Sequence, residues 1–464
     1  MEKPNIVLIM SDTFRKDSLE TDSIKTPNLD AFSSESFVFE NAYPESLPTI
    51  PVRRAIHTGT RAFPFDNYNP VKWDIVYLPG WQPITNSKDT IAEQLAYAGY
   101  HTGFVTDTLP YFAPGFNFTR GFWQWEFIRG QQQDRWQSPR AVSDKDLEMY
   151  TKPNNQIDQY STLRYHVANT KDMKKPDQTT TSRVFDWAMK FLEDNKDAEP
   201  FYLLVDCFDP HEPWEAPDFF YNLYKPKEYK GKTIIHTKYG PIGNSYSNLE
   251  IANIIAHYRG LTTLVDDYVG KFLNKLKGLG LWENTLVIFT SDHGTNFGNN
   301  SRKIIGKPSY AMFPPVMDLP LIMKLPGYEN QNLSKIYDFV YNIDISATIR
   351  KVAGIKAKIS SSQGQSLLEL TKDGESSWRR REYLTCRYGD HLWYRDDRLW
   401  MIFSVYGIPL DVYYLQEDPS CNNNKVVNVE EHDADLAWNR ILHDAGGQIP
   451  VYDKKFRTDA IGQK

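Results

Sequence analysis

Two aspartates and a histidine stand directly behind apolar runs of the kind that build buried strands. Asn5-Ile6-Val7-Leu8-Ile9-Met10 leads into Ser11-Asp12, and Leu286-Val287-Ile288-Phe289-Thr290 leads into Ser291-Asp292-His293-Gly294. Uninterrupted Ile- and Val-rich runs read as central strands of a parallel sheet. The carboxyl ends of such strands are where open α/β sheets bind ligands. Asp12, Asp292 and His293 converging there would form a ligand set for a divalent cation. A third stretch, Thr49-Ile50-Pro51-Val52-Arg53 running on to Thr58-Gly59, adds a hydroxyl and a guanidinium. Thr49 reads as the N-cap of a helix, with Pro51 in the first turn and Gly59 as terminator. A hydroxyl at that end meets free N–H groups and the positive pole of the dipole, which favours an alkoxide or a bound anion. Arg53 lies one turn on, on the same side. Taken alone, this third stretch reads as a capped surface helix.

The elements that must position these residues alternate in type. Thr26-Pro27-Asn28-Leu29 predicts an N-cap and a helix through about Ser34. Helical pattern recurs from Asp89 to Ala98, closed by Gly99, and His101 to Thr106 reads as a strand. A helix near Thr181 to Glu193 precedes a strand at Phe201 to Asp206. A long helix from Leu249 to Lys277 precedes the strand Thr285 to Thr290, and another strand follows at Leu321 to Leu325. Strands separated by helices imply right-handed crossovers and a mainly parallel sheet with helices on both faces. After about residue 365 the pattern changes to short strands at Tyr383 to Arg387, His391 to Arg395, Leu399 to Ser404 and Val412 to Leu415, with a helix near Glu430 to His443. The expected organisation is therefore a catalytic α/β domain over 1–365 and a small C-terminal antiparallel subdomain over 366–464.

Bulk composition excludes several classes. At 464 residues, 41% hydrophobic and 24% charged, the chain is globular and not disordered. A net charge of −6 gives no electrostatic case for nucleic acid. No apolar run of about 18 residues is present, so no membrane partner is expected. Three cysteines, Cys207, Cys386 and Cys421, offer no disulfide framework; with no signal peptide in the sequence, a cytoplasmic location is expected. The aromatic-rich stretch from Tyr111 to Trp136 reads either as a substrate wall or as packing of a long excursion onto the sheet.

Taken together and in order, the motifs resemble the sulfatase family of the alkaline phosphatase superfamily. The resembling segments are Asp12 after the first strand, Thr49-x-Pro51-x-Arg53 with Thr58-Gly59, Pro210-His211-Glu212-Pro213, Asp292-His293-Gly294, Gly306-Lys307, Pro320-Leu321-Ile322 and Tyr413-Tyr414-Leu415-Gln416-Glu417-Asp418-Pro419. The resemblance implies an alkaline-phosphatase-like α/β/α sandwich and ester hydrolysis. It implies one divalent cation held by Asp12, Thr49, Asp292 and His293, with Arg53 and Lys307 stabilising substrate oxygens and His211 as general acid for the leaving group. A second cation near Asp206, Asp209 and His211 is left open.

Three departures from the family pattern carry information. The family nucleophile is a Cys or Ser oxidised to formylglycine, whereas Thr49 bears a methyl on its β-carbon and cannot give an aldehyde. A plain hydroxyl must release its product by attack of water on the covalent intermediate, which phosphorus tolerates more readily than a sulfate ester does. The expected substrate is therefore a small phosphate or phosphonate ester, with a sulfatase using unmodified Thr49, or a transferase, as the alternatives. Asp107 and Leu109 stand where a Lys-x-His pair is usual, which points to a less highly charged substrate such as a diester. Thr13 replaces the second acid of an Asp-Asp pair; one carboxylate fewer favours zinc or manganese over calcium. Arg15 and Asp17 are expected to pair with each other, and His391 to lie outside the pocket.

Overall fold

The computed structural model describes residues 3–66, 68, 78–152, 161–198, 200–327, 335–355, 363–372 and 375–452. Its centre is an eight-stranded sheet. The strands are β1 (Asn5–Ser11), β2 (Phe37–Phe39), β3 (His101–Thr106), β4 (Gln124–Phe127), β5 (Phe201–Cys207), β6 (Thr285–Ser291), β7 (Leu321–Lys324) and β8 (Lys335–Ile336). Their order is β8-β2-β7-β6-β1-β5-β3-β4. The block from β6 to β4 is parallel throughout, and β7 runs antiparallel to both of its neighbours. β1 lies at the middle and is buried at every position, as a strand covered on both faces must be.

Side-chain alternation along β1 feeds two cores. Ile6, Leu8 and Met10 pack with helices α2 (Thr49–Thr58) and α3 (Ile91–Tyr97) and with Ile345 and Ile349 of α6 (Asp344–Val352). Val7 and Ile9 pack with α1 (Pro27–Ser34), α4 (Thr180–Asn195) and the long α5 (Asn248–Gly278). The result is the expected α/β/α sandwich. Capping boxes at Thr90/Glu93 and Ser247/Glu250 fix where α3 and α5 begin. At α1 the expected cap is corrected: Thr26 stands at the N-cap position, but its side chain makes no capping bond. Asp266 of α5 takes over, accepting hydrogen bonds from the backbone N–H of Leu29 (2.7 Å) and Asn28 (3.2 Å). A tertiary acceptor satisfies the orphan donors and docks the helix at the same time.

The C-terminal strands β9 (Tyr383–Tyr388), β10 (His391–Asp396), β11 (Leu399–Ser404) and β12 (Pro409–Tyr414) form a four-stranded antiparallel meander. One face, with Leu384, Trp393, Trp400 and Tyr413, joins the core that covers β1 and α2. The other, with Leu392, Met401 and Phe403, packs on Ala437 and Ile441 of α7 (Glu431–Asp444). Leu47 bridges to Tyr388 just before α2 begins, so this sheet buttresses the helix that carries Thr49 and Arg53. Residues 453–464 of the expected subdomain lie outside the described residues. No described helix is long and apolar enough to cross a membrane, and Cys207, Cys386 and Cys421 are free and buried.

Candidate functional site

Register brings the chemistry together. Ser11 of β1 aligns with Ser291 of β6 on one side and Cys207 of β5 on the other. The next residues, Asp12 and Asp292, therefore emerge side by side from adjacent strand ends. Asp12, Asp292 and His293 are fully buried, and one ligand atom from each lies within 4.8 Å of the others. It is the one such grouping found among the described residues. Thr49 Oγ1 stands 3.5 Å from His293 Nε2. The cap assignment at Thr49 needs correcting: Pro48 occupies the N-cap position, Thr49 is the first helical residue, and no side chain caps this helix. The hydroxyl is thus free of the N–H groups and faces the acidic cluster. Gly59 ends the helix as expected, in the left-handed conformation at φ 65°.

Arg53 is the electrostatic centre. Its buried guanidinium donates from Nε and Nη2 to Asp206, both at 2.9 Å, and from Nη1 to Asp292 at 2.5 Å; Asp12 Oδ2 lies 3.1 Å from Nη1. Burial alone would lower the guanidinium's affinity for its proton, but Asp206 and Asp292 outweigh it and hold Arg53 charged. Asp206 accepts further from Thr108 Oγ1 (3.2 Å) and from the Tyr111 hydroxyl. Asp206 was a candidate for a second cation; its two oxygens are instead spent on orienting Arg53. Asp209, the other acid considered there, accepts from Thr181 and from Gln131. These two carboxylates and His211 do not form a ligand grouping among the described residues.

His211 and Lys307 meet on the far side of Asp12. Lys307 Nζ is 3.0 Å from His211 Nε2, and Glu212 holds the same ammonium with both oxygens, at 3.0 and 3.1 Å. His211 Nδ1 lies 2.6 Å from the Glu212 carbonyl. A carbonyl only accepts, so Nδ1 carries the proton and Nε2 accepts from Lys307. Burial and the Lys307 charge push the His211 pKa well below its ordinary value. Its Nε2 is 4.0 Å from Asp12 Oδ1. The Tyr388 hydroxyl donates to the Lys307 carbonyl (2.8 Å), so the C-terminal sheet also fixes this residue.

Sequence reasoning read Thr13 only as a missing second acid and gave it no contact of its own. It adopts φ 63°, a left-handed conformation uncommon for a β-branched residue. In that pose its N–H donates to Asp292 Oδ1 (3.0 Å) and its hydroxyl to Asp12 Oδ1 (2.8 Å), tying the two carboxylates together. Glu212 was likewise an unassigned position inside the Pro-His-x-Pro motif. The remaining expectations resolve simply. Arg15 pairs with Asp17 (Nε to Oδ1, 2.8 Å). His391 bonds Ser309 and is not part of the ligand grouping. Tyr111, Phe116, Phe118 and Phe122 are core residues, while Trp123, Trp125 and Trp136 are exposed.

The donor set fits a divalent cation. Asp12 Oδ2 is buried and accepts no hydrogen bond, although Arg53 Nη1 lies 3.1 Å from it. Burial, with the neighbouring Asp292 carboxylate, raises the Asp12 pKa well above its usual range. Burial also lifts Asp292, but His293 and Arg53 more than reverse this and keep it ionised. His293 Nδ1 lies 3.1 Å from the Gly294 carbonyl, which fixes the tautomer and leaves the Nε2 lone pair free. Burial holds that imidazole neutral, its pKa lowered to about 4. Two buried carboxylates, one with an oxygen that accepts no hydrogen bond, and a neutral imidazole nitrogen are a donor set that suits a divalent ion.

The chain is similar to known proteins over most of its length. Residues 4–355 match the family model described as Sulfatase, and residues 309–437 match one described as N-sulphoglucosamine sulphohydrolase, C-terminal. The chain is 26% identical over 475 residues to an arylsulfatase of Clostridium perfringens, covering 93% of this chain and 91% of the relative. It is 25% identical over 430 residues to the multifunctional alkaline phosphatase superfamily protein PehA of Trinickia caryophylli, covering 82% and 79%. Among solved structures, the phosphonate monoester hydrolase of Agrobacterium radiobacter superposes with a TM-score of 0.72 at 20% identity, covering 97% of this chain and 96% of that one. With the family model spanning most of the chain and the fold shared end to end, the protein belongs to the sulfatase family and is an ester hydrolase of alkaline-phosphatase-like fold.

Proposed function

We infer that the chain hydrolyses phosphate or phosphonate esters, with the Thr49 hydroxyl as nucleophile. The observation that carries this reading is Thr49 itself. Its Oγ1 faces His293 Nε2 at 3.5 Å beside the buried acids, and its methyl-bearing β-carbon excludes the aldehyde on which sulfate transfer in this family relies. Asp12, Asp292 and His293, with Thr49 Oγ1, would hold a zinc or manganese ion. When bound, that ion lowers the pKa of the threonine hydroxyl and polarises an ester oxygen. With the hydroxyl proton already lost to solvent at this lowered pKa, Thr49 Oγ attacks phosphorus in line as the alkoxide; the new bond to Thr49 forms as the bond to the leaving oxygen breaks. Arg53 and Lys307 stabilise the non-reacting oxygens. The leaving oxygen takes the proton that Lys307 Nζ and His211 Nε2 share across 3.0 Å. Water then attacks the threonyl ester, returns a proton to that pair and releases Thr49.

A second reading, hydrolysis of sulfuric esters with unmodified Thr49, draws on the likeness to the Clostridium perfringens arylsulfatase. Aryl phosphate, phosphodiester, phosphonate monoester and aryl sulfate assayed side by side on metal-loaded protein decide between them. Thr49→Ala is expected to lower turnover of the preferred phosphorus ester by roughly a thousandfold or more. Unchanged turnover in that variant, or sulfate hydrolysis dominant by orders of magnitude, would overturn the first reading.

A further inference from the structure

We propose that Glu212 is a specificity-determining residue that sets the site for esters carrying a single negative charge. The proposal rests on the reading of this site as an ester-hydrolase centre and names the substrate charge it selects.

Glu212 is 3% exposed, and both of its oxygens contact Lys307 Nζ. Burying a carboxylate is costly unless a cation answers it. Here the cation that answers is Lys307, whose other hydrogen-bond contacts are His211 Nε2 and Thr13 Oγ1, with the Tyr239 ring 5.5 Å from its ammonium. Lys307 therefore meets a substrate with its charge already matched. Arg53 is in the same condition, held by Asp206 and Asp292 with Asp12 alongside. Two basic side chains face four carboxylates, those of Asp12, Asp206, Asp292 and Glu212. A divalent ion on the Asp12–Asp292–His293 grouping would bring this set to neutrality, with no positive excess. A dianionic phosphate monoester would then carry a second charge into a buried site with nothing to balance it. A phosphodiester, phosphonate monoester or sulfate ester brings one charge only. Asp107, at a position where a further cation would have favoured dianions, is buried and acidic. Glu212 is the member of this set that binds neither Arg53 nor the ligand grouping, so its charge can be removed without dismantling either.

The test compares wild type, Glu212→Gln and Glu212→Asp as metal-loaded proteins. The first readout is the ratio of kcat/KM for an aryl phosphate monoester to that for a bis-aryl phosphate diester. Glu212→Gln is expected to raise the ratio by roughly tenfold or more, the effect of one unit charge within about 12 Å at an effective dielectric constant of about 20. Glu212→Asp is expected to keep the wild-type ratio. The second readout is calorimetric binding of sulfate and methanesulfonate, tetrahedral anions of two charges and one. Wild type is expected to bind methanesulfonate more tightly than sulfate, and Glu212→Gln to gain for sulfate alone. A merely structural role would lower both substrates and both anions together. That result, an unchanged ratio, or wild-type protein binding sulfate as tightly as methanesulfonate or more tightly, would overturn the proposal. The wild-type binding ratio decides the matter even if Glu212→Gln does not fold. Loss of the hydrolase reading shows separately, as turnover indifferent to Thr49→Ala.

Discussion

Replacing Asp206 by Asn tests the arrangement around Arg53 most directly. The substitution keeps shape and one acceptor oxygen but removes the charge that receives two guanidinium bonds at 2.9 Å. Breaking one partner of a buried ion pair costs about 3–5 kcal/mol. Arg53 retains Asp292 at 2.5 Å and Asp12 at 3.1 Å, so the low end, about 3 kcal/mol, is expected for stability. The larger consequence falls on the cation. With Asp206 neutral, Arg53 presses its charge on Asp12 and Asp292, the residues that would hold the metal. One uncompensated unit charge at ~6 Å and an effective dielectric constant of ~20 corresponds to ~3 kcal/mol, roughly a hundredfold in affinity. Metal affinity measured by chelator competition, together with urea unfolding and kcat/KM, reads both effects. Tyr111→Phe removes a neutral donor to the same carboxylate and is expected to cost about 1 kcal/mol, with a correspondingly smaller change in metal affinity. Metal affinity within threefold of wild type in a folded Asp206→Asn protein would refute the view that Asp206 keeps Arg53 from competing for the ligand carboxylates.

Two further outcomes are expected. Thr13→Asp supplies a second acid beside Asp12 at a position whose φ of 63° Asp tolerates better than Thr; calcium affinity relative to zinc is expected to rise by at least about tenfold, and an unchanged ratio in competition binding would count against an ion at this grouping. His57 is buried among Phe104, Tyr111, Phe118 and Phe122 with both ring nitrogens unpaired, and burial, with Arg53 adding to it, lowers its pKa to about 3. The unfolded chain therefore binds a proton near pH 6.5 that the folded chain refuses until about pH 3, so the stability is full above 6.5 and is lost as pH falls through that window. Between pH 8 and pH 5 the loss from this group is about 2 kcal/mol; His57→Phe is expected to remove that part of the pH dependence in urea unfolding, and an identical pH slope in both proteins would contradict it.

The amino-acid sequence by itself determined the strands, most of the helices and the acids that stand at the ends of the central strands. The runs ending at Ser11 and Ser291 are apolar throughout because both faces of a central strand are covered, so their positions and the acids behind them were legible. So were the long amphipathic α5 and the switch to an antiparallel meander near Tyr383, which are local patterns of period and turn chemistry. The places of Thr49, Arg53, His211 and Lys307 beside those acids were legible by motif. What only the tertiary structure decided is how charges separated by tens to hundreds of residues compensate one another. Asp206 looked like a metal ligand at a strand end, and register placed it under Arg53 instead. Thr49 and Thr26 looked like N-caps; Pro48 took the cap position at the first helix, and Asp266, 237 residues from Leu29, answered the free N–H groups at the second. Thr13 was legible only as a missing acid and Glu212 gave no signal, because their parts lie in contacts with Asp292, 279 positions away, and Lys307, 95 away. Local propensity depends on neighbours along the chain and can be read from them. The pairing of buried charges depends on which strand ends the sheet order sets side by side, and that order exists only once the chain has folded.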